Sequence, residues 1–93
     1  MVYLKYVFEF DALKSARNRI KHGIDFFQAQ RLWDSPVIRI PVRYQIEDRE
    51  LAVGEMGGRI WTAIITFRQG KIRIISMRRA REKEEKLYRS YHG

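Results

Sequence analysis

Apolar and polar residues alternate in short stretches through the middle of the chain, with helical spacing on either side. LKYVFEF, residues 4–10, is aromatic and β-branched and predicts a strand. Asp11 follows as an N-cap, since its carboxylate can accept from the orphan amides of a first helical turn. The predicted helix runs over residues 12–22 and stops at Gly23, a residue suited to the left-handed C-cap. Leu13, Ala16 and Ile20 form its apolar stripe. Lys14, Arg17 and Lys21 form a basic stripe on another face. Asp25 caps a second helix, FFQAQRLW, with Phe26, Ala29 and Trp33 aligned and Leu32 near that face. Asp34-Ser35-Pro36 ends it, because proline disfavours helix in the residue before it.

Four strands are predicted next, at residues 37–43, 49–55, 60–67 and 71–77. Residues 45–48 form the first loop, and Gly57-Gly58 and Gln69-Gly70 are hairpin signals. In the last strand Ile72 and Ile74 point one way, Lys71 and Arg73 the other. From about Arg79 the spacing becomes helical, with Ala80, Glu84, Leu87 and Tyr91 on one face and Tyr88 at its edge. The order β-α-α-β-β-β-β-α predicts one α+β domain over residues 1–93, with helices covering one face of a mostly antiparallel sheet.

Composition narrows the function classes. A chain of 93 residues, 45% hydrophobic, can fold around a modest core. The absence of cysteine excludes a disulfide framework, a thiolate zinc site and a cysteine nucleophile. The first residues lack the apolar core of a signal peptide, and the uncharged run IWTAIITF is too short to span a bilayer. A soluble cytoplasmic protein with no membrane partner is expected.

Net charge is +8, and most of it is local. Residues 68–81 hold six Lys or Arg (Arg68, Lys71, Arg73, Arg78, Arg79 and Arg81) and no acid. Such a field attracts polyanions, nucleic acid first. Guanidinium groups on one wall can grip phosphates bidentately. Helix-dipole preference disfavours cations at a helix start, so their presence there points to a purpose. The competing reading is a solvated helix start neutralised by Glu82, Glu84 and Glu85. His22 is either part of a C-cap or a proton carrier. Arg49 either faces the arginine cleft or pairs with Glu47 or Asp48. Tyr88 is helix packing whose hydroxyl can reach the sheet, and Trp33 and Trp61 are core by default. Trp61 as a stacking surface for a base is the lesser alternative. The two histidines lack ligand spacing, so no metal site or other cofactor is expected.

These residues resemble a known family. FEFDALKSARNRIKHGIDFFQA, residues 8–29, is similar to the N-terminal motif of BrnT-type toxins through Phe8, Asp11, Lys14, Asn18, Lys21-His22-Gly23, Ile24, Phe26 and Ala29. Arg49, LAVG at 51–54, RIISMRRA at 73–80, Glu84 and Tyr88 extend the resemblance over nearly the whole chain. It implies a RelE-like fold and a ribonuclease toxin that inhibits translation by cutting messenger RNA. It also implies a cognate antitoxin encoded beside it, the two forming a hetero-oligomer that binds its own promoter DNA. Three departures stand out: Phe10 replaces a common Trp, and Gln28 a frequent Glu. Arg81 sits where Ser or Thr often caps the last helix, which predicts a lost capping box.

On this resemblance the expected chemistry is metal-independent. RNA carries its own nucleophile, the 2′-hydroxyl. Arg73, Arg78 and Arg79, with Arg49, would bind the scissile phosphate and its more negative transition state. His22 and Tyr88 are the candidate proton carriers, and Lys14, Arg17, Lys21, Lys71 and Arg81 the further RNA contacts. The alternative class is a non-catalytic basic module that holds RNA or an acidic partner.

Overall fold

The computed structural model describes residues 6–45 and 47–92. The first strand, β1 (Phe8–Phe10), is short, and the rest of its predicted span, residues 4–7, is not strand or lies outside the described residues. Helix α1 (Ala12–His22) has the predicted bounds. The Asp11 carboxylate accepts the Lys14 N–H at 2.9 Å, and Gly23, at φ 79°, caps the other end by donating to the Arg19 carbonyl. That first hydrogen bond holds the Asp11 carboxyl below its ordinary value.

The second helix is shorter than its pattern suggests. α2 (Phe26–Ala29) tightens into a 3-10 segment, Gln30–Asp34. Phe26, Ala29 and Leu32 are buried at spacings of three, which suits the tighter helix, while Trp33 is only half-buried. Strands β2 (Ile38–Tyr44), β3 (Glu47–Met56), β4 (Arg59–Arg68) and β5 (Lys71–Arg79) follow. Glu47 and Asp48, expected in a loop, are part of β3. Both predicted hairpin turns have positive φ at their two central residues, at Gly57-Gly58 and at Gln69-Gly70, the primed geometry that matches strand twist. The last helix, α3 (Glu82–His92), starts three residues later than expected because β5 continues through Arg79.

The sheet order is β1-β5-β4-β3-β2. β2 to β5 pair antiparallel, but β1 lies parallel to β5, with Phe8 opposite Ile72 and Phe10 opposite Ile74. The sheet is therefore mixed, a correction to the expected arrangement. α1, α2 and three strands intervene between β1 and β5, enough chain for the crossover that parallel pairing requires.

The helices divide between the two faces, a second correction. Ile24, Phe26, Ala29 and Leu32 pack against Ala52, Ala63, Ile65, Ile72, Ile74 and Met77 to form the larger core beneath α1 and α2. Residues of the opposite parity, Val53 and Ile60, pack with Tyr88 of α3, bordered by Ile38, Ile40, Leu51 and Ala80. Gly54 lies on the first face where the 3-10 segment crosses β3. A Cβ there would meet Val37 Cγ1 at 2.9 Å and Leu32 at 3.1 Å, so glycine permits the close approach.

α1 turns an unexpected side inward. Its buried residues are Ser15 and Asn18, while Leu13 and Ile20 are 60% and 88% exposed. The Asn18 amide donates to the carbonyls of Ile24 (2.8 Å) and Met77 (3.0 Å) and accepts the Met77 N–H (3.2 Å). Ser15 Oγ accepts the Phe26 N–H at 2.9 Å. Polar residues thus fasten α1 to β5 and α2, because each buried polar atom replaces a lost water contact with a directed bond. α3 departs from its pattern in the same way: Glu84 and Tyr88 are buried, whereas Leu87 and Tyr91 are exposed.

Candidate functional site

A β-bulge decides which arginines share a face. Along β5, Arg73 pairs with Thr66 and Ile74 with Ile65, then Ser76 pairs with Ile64, leaving Ile75 as the extra residue. Past the bulge Met77 pairs with Ala63, Arg78 with Thr62 and Arg79 with Trp61. Simple alternation would have put Arg73 and Arg79 together. With the bulge, Arg73, Ser76 and Arg78 lie on the α3 side and Arg79 lies on the α1 side. There the Arg79 guanidinium stacks over the Trp61 ring, 5.7 Å from its centroid. The three arginines expected on one wall are therefore split two to one.

Arg78 is anchored at the start of α3. Its Nη1 and Nη2 donate to the two Glu84 oxygens at 2.7 and 2.8 Å. Glu84 also accepts from the Thr62 hydroxyl and from the Arg81 N–H, each at 2.8 Å. The Arg78 guanidinium, helped by the Arg81 amide and the Thr62 hydroxyl, holds the Glu84 carboxyl down to about 2 against the opposing effect of burial. The Arg81 bond is the half of a capping box that does not need Ser or Thr, so only the N-cap side chain is lost. Glu84 uses the end-on edge of the Arg78 guanidinium, and Nη1 also reaches the Arg79 carbonyl at 3.3 Å. Among the described residues, Arg78 Nε has no hydrogen-bond partner.

In front of this junction the α3 side of the sheet stays open. A trough of about 370 Å³ has Leu51, Ile64, Ile75 and Ser76 as its floor. Arg49 lines it on the β3 side, Arg78 and Arg81 on the α3 side. Arg43 borders it too, but its pairing with Asp48, by register and by an ion pair of 3.7 Å, turns its guanidinium to the other face. Arg49 contacts Glu47, within β3 instead of a loop, through Nε at 2.9 Å, and also lines the trough. Arg73 is on the same face of β5, 3.6 Å from Glu9 of the neighbouring β1, and Lys71 shares its side of the strand. The Arg81 guanidinium has no partner among the described residues. Tyr88 belongs to the apolar cluster that also contacts Leu51, and its ring centroid lies 4.5 Å from that of His92, the planes tilted by 33°.

The remaining sequence candidates are elsewhere. His22, Lys14, Arg17 and Lys21 belong to α1, on the other side of the sheet. Thus Arg49, Lys71, Arg73, Arg78, Arg81 and Tyr88 share one face, while Arg79 and the α1 candidates share the other. Ser76 and Thr62 had no motif to mark them, since their roles depend on register and the bulge. Among the described residues, no group of three or more His, Asp or Glu side chains is arranged to hold a metal ion. Nor is any helix among them long and apolar enough to cross a membrane.

Arginines on two sides of an apolar floor suit a phosphodiester whose bases are turned inward. The model of the BrnT family, described as ribonuclease toxins of type II toxin–antitoxin systems, matches residues 10–84. That range contains β1 to β5 apart from the first two residues of β1, both α1-side helices and the Arg78–Glu84 junction. No curated protein matches the chain closely enough to add a relative. The matched range covers most of the sequence, and the chain belongs to the BrnT family of ribonuclease toxins.

Proposed function

We propose that the protein is a cytoplasmic endoribonuclease that cleaves messenger RNA in the α3-side trough and so inhibits translation. The observation that carries this is the placement of Arg49, Arg78 and Arg81 around one apolar floor. The family supplies the ribonuclease class, and with it an RNA substrate and a cognate antitoxin. In this reading the 2′-hydroxyl gives up its proton as its oxygen attacks the adjacent phosphorus, the bond from phosphorus to the 5′-oxygen breaks as that oxygen takes up a proton, and the products carry a 2′,3′-cyclic phosphate and a 5′-hydroxyl. Negative charge grows on the phosphoryl oxygens in that step, and Arg49, Arg73 and the outer edge of Arg78 face it. Arg81, whose guanidinium has no partner among the described residues, binds a flanking phosphate. Leu51, Ile64 and Ile75 offer the bases an apolar surface. Tyr88 is the candidate proton carrier left on this face, since His22 lies across the sheet, and it would act from the buried cluster behind the trough. Arg79 stabilises Trp61 instead of the reaction.

The chemistry needs two proton transfers and placed cations, which arginine side chains and a proton carrier can supply without a metal. Purified chain incubated with single-stranded RNA and excess EDTA should cut it, leaving cyclic phosphate ends. A requirement for a divalent ion would refute this mechanism. Induced alone, the chain should arrest growth and be rescued by its antitoxin, the two forming a hetero-oligomer that binds promoter DNA. RNA binding without cleavage would instead support a non-catalytic module.

A further inference from the structure

The apolar stripe of α1 faces solvent. Leu13 and Ile20 are 60% and 88% exposed, and Ala16 between them is exposed as well. At spacings of three and four they form one seam, roughly opposite the inward Ser15 and Asn18. Lys14, Arg17 and Lys21 flank it on one side and Arg19 on the other. α1 itself contains no acidic residue. A seam of this width, with cations on both flanks, is complementary to a helix that carries apolar residues at the same spacing and carboxylates beside them.

We propose that this face of α1 docks an acidic amphipathic helix of the antitoxin. Its apolar residues would pack on Leu13, Ala16 and Ile20, and its carboxylates would meet Lys14, Arg17, Lys21 and Arg19. The proposal rests on the reading of the chain as an antitoxin-controlled toxin, and it places the grip on the side of the sheet away from the RNA trough. A second copy of this chain suits the surface poorly, because two such seams would bring like charges together without a carboxylate on either helix. RNA would satisfy the cations but leave Ile20 without an apolar partner.

The test is the affinity of the purified chain for the protein encoded by the adjacent antitoxin gene, measured by titration calorimetry. Leu13→Glu/Ile20→Glu should weaken binding by about 100-fold, with an unchanged melting temperature and unchanged RNA cleavage. Lys14→Glu/Arg17→Glu should weaken it by about tenfold at low salt, and by less at high salt. Apolar-variant binding within threefold of the original would overturn the proposal, as would seam-dependent self-association in sedimentation. So would seam-dependent binding to phosphatidylglycerol vesicles. Failure of the unaltered chain to bind that protein would refute the antitoxin reading itself, and the docking surface with it. Equal binding by both forms would refute only the surface.

Discussion

Glu84→Gln removes one negative charge from the junction that joins β4, β5 and α3. The carboxyl sits at about 2 instead of 4.5, chiefly because of Arg78. That difference corresponds to about 3 kcal/mol at 1.36 kcal/mol per unit. Glutamine can keep one or two of the hydrogen bonds, and the Glu84 side chain is 11% exposed, which together lower the expected loss to about 2–3 kcal/mol. For a domain of this size the melting temperature should fall by about 10–20 °C at pH 7. The carboxyl is depressed in the fold, so its stabilisation is present above the unfolded value and lost as pH falls from 4.5 toward 2. The gap between the original chain and Glu84→Gln should therefore be constant above about pH 5.5, narrow below pH 4.5 and close near pH 2. Urea unfolding across this range measures it. A loss below about 0.5 kcal/mol at pH 7, or a gap that does not narrow by pH 3, would refute the reasoning.

Other parts of the structure carry their own tests. Asn18→Ala strands the Met77 N–H and the carbonyls of Met77 and Ile24, and should cost about 2–4 kcal/mol in urea unfolding. Gly54→Ala forces Val37 or Leu32 to move, and should cost about 1–3 kcal/mol by the same method. Arg81→Ala removes one phosphate contact, so the log–log salt slope of single-stranded RNA binding should become shallower by about 0.7.

Much of the fold was legible because local rules and the final structure agree. Asp11 and Gly23 bound α1, and the turns Gly57-Gly58 and Gln69-Gly70 separate β3, β4 and β5. The inward face of α1 was not legible: Ser15 and Asn18 are buried through bonds to Phe26 and Met77, partners far along the chain. Leu13, Ala16 and Ile20 look like a core stripe in isolation and are not one. For the site, Arg49, Arg73, Arg78 and Arg81 could be singled out from charge and position alone. Their grouping could not, because the bulge at Ile75 reassigns every side chain after it. Tyr88 was placed at the edge of its helix face, yet it is a buried member of the α3-side cluster. Parallel pairing of β1 was also hidden, since three residues carry no signal of direction.

The central claim is that catalysis belongs to the α3-side trough and not to the arginines as one undivided cluster. Initial rates of RNA cleavage by Arg49→Ala and Arg79→Ala, measured side by side with native melts confirmed, test it most directly. Arg49→Ala should lose about 100-fold, in line with removal of one transition-state charge contact, while Arg79→Ala should stay within about threefold. A large loss in Arg79→Ala with near-normal cleavage by Arg49→Ala would contradict it and move the active site to the other face of the sheet.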